Sequence, residues 1–464
     1  MDFSEPLRKL PAKISGTFWF SDEPDQQFSD ELTLELDYSY TIECHLPRKP
    51  ELRAGFSPDR ILNKYFTLLG QDRKSQPLSL LKCGCAQLPT FTPRREITLN
   101  QITFFINVIV VGAHVTDLDQ TRFQSFSVFF REFNLWTGQA NLAMRIDLEA
   151  LGARTLTEDD IEGFGKVGIY CGGWDKRTRA DTDVSSHVRF WAPSFFPSKP
   201  LGFEELLGRL RSFQGLLTLL CGYAIVFDEL RCTYLRPVGK DKRTGLSPVD
   251  VKIIPRMTGY QHAFRRSAFS LTNIPFRDLE AQWAVVLEKW FNFYDRLEDV
   301  FNLYLTVILA PDLGDDHKFL FLAQSIEGFH RARPDSKDKK FTPAEYKKRR
   351  KKVLESAPES EKEWLTDALE FPPGNTLLER IDDIMKPLKD LVADSFEDLD
   401  SFSSTVKNAR NYLTHPGNTE PQSYAYRDLW KKLRTILEIC FLREIGVPEK
   451  IYATVAARHR FRYD

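Results

Sequence analysis

The sequence predicts an α+β chain, with a β-rich N-terminal domain over residues 1–275 and an all-helical bundle over 276–464. Three observations carry this. The 464-residue length exceeds what one hydrophobic core fills, so two domains are expected. The first part alternates or runs together β-forming residues between turn-forming ones, and past Pro275 apolar residues recur three and four apart.

The strands come first. Glu31-Leu32-Thr33-Leu34-Glu35-Leu36 alternates apolar and polar residues, the pattern of a half-buried strand. Residues 104–111 are a near-continuous run of β-formers around Asn107, suited to a strand covered on both faces. Further strands are predicted over 16–20, 123–135, 167–171 and 188–192. A helix follows from Gly202 to about residue 227; its apolar run over 216–227 is too short to span a bilayer and is read as buried. Two extended segments, 231–236 and 249–254, flank a turn at 239–243.

Beyond Pro275, Leu279, Trp283, Val286, Trp290, Phe293, Leu297, Val300 and Tyr304 form the stripe of a long packed helix. Helices are then predicted over 315–331, 361–369, 376–392, 399–414 and 426–444, with a strongly basic insertion at 337–352. In the 399–414 helix, Phe402, Val406, Ala409 and Leu413 share one face, and Pro416-Gly417 end it.

The hydrophobic share of 42% and charged share of 28% exclude a disordered or fibrous chain. A formal net charge of -1 excludes a global field drawing the chain onto nucleic acid, so any such surface must be a local basic cluster. The acidic opening Met1-Asp2-Phe3-Ser4-Glu5 has no apolar targeting segment, and the seven cysteines are sparse and odd in number; a cytoplasmic protein with reduced thiols, not membrane-bound, is expected. Cys83 and Cys85 could be half a metal site, but no second half with zinc spacing follows, and no metal or cofactor is expected.

The chemistry-bearing residues sit at the end of the 399–414 helix. In Arg410-Asn411-Tyr412-Leu413-Thr414-His415, Asn411 and His415 are four apart and share a side, while the apolar stripe uses other positions. An imidazole titrates near cellular pH and can take or give a proton, and the C-terminal end of a helix modestly favours its charged form. A guanidinium offers phosphate oxygens a permanent charge and a planar donor fork. Together they suit attack of a ribose 2′-hydroxyl on its own phosphate, a metal-free route closed to DNA. One His can hardly serve as base and acid in one turnover, so a symmetric dimer is expected to supply both. A helix-capping His beside a solvated Arg fits the same spacing.

This Arg-Asn-x-x-x-His motif resembles that of HEPN ribonucleases of toxin–antitoxin, abortive-infection and CRISPR-linked systems. Residues 322–331, Leu-Ala-Gln-Ser-Ile-Glu-Gly-Phe-His-Arg, look like the second helix of the ApeA branch, and Ile14-Ser15-Gly16-Thr17-Phe18-Trp19-Phe20 is similar to the start of the ApeA N-terminal domain. The resemblance implies an all-α HEPN ribonuclease domain that cleaves cellular RNA, tRNA among the candidates, as an anti-phage abortive-infection effector. It implies a homodimer through HEPN, or a larger oligomer, and an N-terminal sensing domain with a phage-derived trigger. It assigns Arg410, His415, Asn411 and Glu327 to catalysis, with Arg331 in support. Arg331, Lys347, Arg350 and Lys351 are the RNA-binding candidates, the last three on one helical face of the insertion.

Each assignment has a plainer counterpart. Glu327 and Arg331 also fit a surface ion pair, the basic run a solvated helix or loop, and His330 a buried, satisfied histidine. Residues 458–463 mix basic and aromatic side chains that could clamp RNA, although chain ends commonly fray. The competing functional reading is a non-catalytic HEPN-like dimerisation or nucleotide-binding protein whose β domain recognises a ligand or phage component. A carbohydrate-binding β module would rest only on the aromatic residues, which more simply fill a core.

Overall fold

The structure, a computed structural model, describes residues 12–36, 42–47, 65–85, 101–130, 133–137, 155–176, 186–225, 227–237, 246–255, 274–310, 312–333, 341–370, 374–396, 399–415 and 424–461. It divides into two units, Met1–Ala284 and Val285–Asp464.

Among the described residues, unit one holds thirteen strands in one antiparallel system. The first six are β1 (Ala12–Phe20), β2 (Phe28–Leu36), β3 (Ile42–Pro47), β4 (Phe66–Asp72), β5 (Pro77–Cys85) and β6 (Gln101–Ile106). Their order β4-β1-β2-β3-β6-β5 closes on itself because β4 also pairs with β5, forming a small barrel. Alternate residues point inward: Ile14, Phe18 and Phe20 on β1, Leu32 on β2, Leu78 and Leu80 on β5, and Phe104 and Ile106 on β6 are buried together. Lys82 adopts φ 50°, and the β4–β5 register shifts between Phe66 and Leu68. This bulge brings Cys83 inward after Leu80. Cys83 therefore belongs to the barrel core, and burial pushes its thiol pKa up.

The strand expected over 104–111 is interrupted at Asn107, giving β6 and β7 (Val108–Val111). Both keep one register against β5, but β6 pairs with β3 and β7 with β13 (Leu246–Pro255). Asn107 thus marks the corner where the chain passes from the barrel to the rest of the sheet. That sheet continues as β13, β12 (Phe227–Pro237), β8 (Phe123–Phe130), β11 (Ser186–Pro197), β10 (Gly165–Lys176) and β9 (Thr155–Ile161). The strand predicted over 123–135 stops at Phe130, and one helical turn, α1 (Phe133–Trp136), follows.

α2 (Phe203–Cys221) packs on this sheet through Phe213, whose ring meets Phe130 and Phe195. It ends six residues before the expected 227 because Gly222 takes the left-handed conformation (φ 71°) and donates to Thr218 O. Its last turns are enclosed on every side, from Ser212 to Cys221, which explains the absence of polar alternation there. Among the described residues, no helix is long and apolar enough to cross a membrane.

Unit two is helical. α3 (Trp283–Leu309), whose first two residues precede the unit boundary, carries the predicted stripe from Trp283 to Tyr304, with Leu279 in the 3₁₀ turns before it. It is kinked at Leu297 (φ -127°, ψ 21°). α4 (Asp315–Ala332) packs against α10 (Tyr426–Glu444), and also meets α7 (Leu377–Met385) and α9 (Leu399–Thr414). α5 (Pro343–Ser356) and α6 (Lys362–Ala368) form a hairpin. The helix expected over 376–392 breaks after Met385, because Pro387 lacks the N–H the ladder needs; it resumes as α8 (Lys389–Val392). A final helix, α11 (Glu449–Phe461), packs on α10. The segments 239–243, 337–340 and 462–463, and Pro416-Gly417, lie outside the described residues, as do the side chains of residues 458–460.

The core is aromatic: Phe301 contacts Trp290, Phe293 and Tyr304, and Phe441 meets Phe301 and Phe329. One carboxylate lies inside it. Glu438, 3% exposed, accepts from Arg434 Nε (2.7 Å) and Tyr304 Oη (2.8 Å). Glu438→Ala would remove the carboxylate paired with a buried guanidinium, and unfolding in urea followed by circular dichroism is expected to show a loss of about 3–5 kcal/mol. Arg434→Met/Glu438→Leu, which removes both charges, should recover most of it.

Candidate functional site

Three helices meet at one carboxylate. α4 supplies Glu327, α7 Arg380 and α9 Arg410. Glu327 Oε2 lies 3.4 Å from Arg331 Nη2 and 3.4 Å from Arg380 Nη1, while Oε1 lies 3.8 Å from Arg410 Nη2. The side chains grade outward: Arg380 is 6% exposed, Glu327 16%, Arg410 33% and Arg331 56%. One carboxylate thus faces three guanidiniums, and the more exposed Arg331 and Arg410 keep donor capacity towards solvent.

α9 presents the rest of the motif. Phe402, Val406 and Ala409 are buried as its stripe requires, and Leu413 is half-buried. Asn411 is half-exposed and His415 exposed. His415 N donates to Asn411 O (2.9 Å), so the helical hydrogen bonding reaches the histidine. The helix therefore places Asn411 and His415 one turn apart on one side. The His415 ring makes no hydrogen bond or ion pair with another described residue. Tyr412, three residues before His415, touches Tyr424 (centroids 6.0 Å apart), which touches Tyr426, which reaches the buried Phe319 of α4. This ladder of rings ties the end of α9 to the core.

The structure thus brings Glu327, Arg331 and Arg410 into one ion-pair cluster and sets Asn411 and His415 on the same helix end. Lys347, Arg350 and Lys351 come together elsewhere, along a cleft of the α5–α6 hairpin. His330 is fully buried and bonds Asp383 Oδ2 (3.0 Å), which Arg333 also approaches (3.7 Å). Sequence reasoning missed Arg380. Its signal was a charged residue beside Ile381 and one turn before Ile384 on the buried face of α7, where an unpaired guanidinium would be costly. Among the described residues, no three His, Cys, Asp or Glu side chains converge as a metal would require.

Two family comparisons cover most of the chain. The family described as ApeA N-terminal domain 1 matches residues 13–290, and that described as Apea-like HEPN matches residues 320–451, the span containing Glu327, Arg380, Arg410 and His415. No curated protein and no solved structure matches the chain.

If Glu327 holds Arg380 as the geometry indicates, thermal unfolding of Arg380→Met, Glu327→Gln and the double variant will not be additive. The coupling expected from contacting members of one ionic network is about 0.5–3 kcal/mol, and additivity would deny the contact.

Proposed function

The chain belongs to the ApeA family and ends in a HEPN domain, and from that premise we propose that it is a metal-independent endoribonuclease acting in anti-phage defence. The observation that carries the reading is the pairing of a half-exposed Arg410, held by Glu327, with an exposed His415 just over one turn away on α9.

In the proposed reaction, the His415 imidazole takes the proton of a ribose 2′-hydroxyl as its oxygen attacks the neighbouring phosphorus. The bond to the 5′-oxygen breaks, and that oxygen leaves with a proton from a second imidazole. The products are a 2′,3′-cyclic phosphate and a 5′-hydroxyl, with no net change in protons. Arg410 bonds the non-bridging oxygens as their charge grows, and a guanidinium suits that role because it is permanently charged and planar. Asn411 orients the ribose or phosphate through its amide. Glu327 fixes the Arg410 head group, Arg380 fixes Glu327 from the buried side, and Arg331 meets the RNA backbone from the solvent side.

A homodimer through the HEPN domain supplies the second imidazole, because each site then gains the His415 of the other copy. The β-rich unit is assigned the sensing role, with a phage-derived trigger. Cellular RNA is the substrate, and tRNA is the first candidate to test.

His415→Ala and Arg410→Ala are each expected to lower cleavage by about 10²–10⁴-fold. Because neither side chain is buried, the thermal unfolding midpoint should stay close to that of the unaltered chain. Incubating purified protein with total RNA and sequencing the ends checks this. Identical end patterns from the unaltered protein and the His415 variant would remove the proposal.

A further inference from the structure

The α5–α6 hairpin is built unlike the rest of unit two. Thr342 caps α5 with Glu345, and Pro343 occupies its first turn, so the helix begins firmly. Tyr346 Oη donates to Leu369 O (3.0 Å) and Arg350 Nη2 to Thr366 O (3.0 Å), which fixes α5 against α6. Yet none of the described side chains over 341–370 is buried. The hairpin is an ordered arm held by polar ties rather than a piece of the core.

Between its helices lies a cleft of about 510 Å³, lined by Lys347, Arg350, Lys351 and Glu355 of α5 and by Lys362 of α6, with Leu354 between them. Four cations face one carboxylate. Lys347, Arg350 and Lys351 share a face because they are three and four residues apart. The neighbouring acids neutralise little: Lys351–Glu355 (3.6 Å) and Lys362–Glu359 (2.5 Å) are exposed pairs whose lysines remain 77% and 41% accessible. For a chain whose formal net charge is -1, this is a marked local concentration of charge.

We propose that this cleft is an RNA-backbone site separate from the cleavage chemistry. It rests on the reading of the chain as an RNA-cleaving protein and goes beyond it by giving the hairpin a role in holding substrate to which Lys362 contributes. Lys347, Lys351 and Lys362 meet successive phosphates, and Arg350, held at Thr366, offers them a fixed guanidinium. A protein partner would want an apolar centre; Leu354 is the one apolar side chain lining the cleft, and the exposed Val353 and Trp364 of the hairpin lie outside that lining. A small metabolite would want several buried, directional polar groups, and of the cleft's polar side chains only Arg350 buries one, its Nε. A surface of mobile cations on long stems reads phosphate without reading sequence. The hairpin therefore adds affinity for any RNA, while base selection is left to the site on α9.

The test uses the full chain carrying His415→Ala, so that RNA stays intact, and a fluorescein-labelled single-stranded RNA followed by anisotropy over a salt series. Adding Lys347→Gln, Lys351→Gln and Lys362→Gln should flatten the plot of log affinity against log salt by about two, at ~0.7 for each phosphate no longer neutralised. Affinity at low salt should fall by about tenfold or more. Arg350 is left in place because it holds the hairpin together. Equal slope and affinity with and without the three lysines would overturn the proposal. Cleavage by the chain with His415 intact is scored apart. A protein that cuts RNA but binds it without these lysines loses this site alone. One that binds through them but cuts nothing keeps the site and loses the nuclease reading.

Discussion

The Glu327 carboxylate organises unit two around its candidate chemistry. Without it, Arg331, Arg380 and Arg410 would converge as three like charges from three helices, two of them partly or wholly shielded from water. With it, the packing of α4 against α7 and α9 fixes the one guanidinium that also belongs to the Arg-Asn-x-x-x-His motif. The exposure gradient explains the division of labour. Arg380 has little access to solvent and holds Glu327 from the buried side, whereas Arg410 keeps part of its donor fork open. A cluster made only of exposed pairs would be worth little and would position nothing; the shielding of Glu327 and Arg380 makes this one specific.

Charge is concentrated on a nearly neutral chain. The cluster beneath α9 and the cleft of the α5–α6 hairpin each gather cations around a single carboxylate. They differ in construction, since the first is anchored in a packed core and the second stands on an arm none of whose described side chains is buried. A core-anchored group can be held to the tolerance that bond-making requires, and a surface cleft of long side chains can follow a backbone of any sequence. The buried Glu438–Arg434–Tyr304 group belongs to neither; it cross-ties α10 to α3.

Much of the helical unit was legible in the sequence because its signals are local. α9 and α10 fall at 399–414 and 426–444 as expected, since each has a clear apolar stripe. The motif could be placed on a helix end because the stripe excluded Arg410, Asn411 and His415 from the core. What local pattern could not reveal depends on distant partners. β9 reads Thr-Leu-Thr-Glu-Asp-Asp-Ile, with little β propensity, and exists because β10 pairs with it. Closure of the barrel rests on β4 meeting β5 and on a bulge at Lys82 that no periodicity announces. Arg380 could be recognised as a member of the site only once α7 was laid against α4.

The account turns on Glu327 positioning Arg410 for the reaction. The most direct measurement is the single-turnover cleavage rate of Glu327→Gln at saturating RNA, taken beside its unfolding midpoint. The account predicts a folded protein that still binds RNA but cuts it about a hundredfold more slowly, the scale of a displacement of about 1 Å at a reacting centre. A folded Glu327→Gln chain that cuts at the unaltered rate would contradict it.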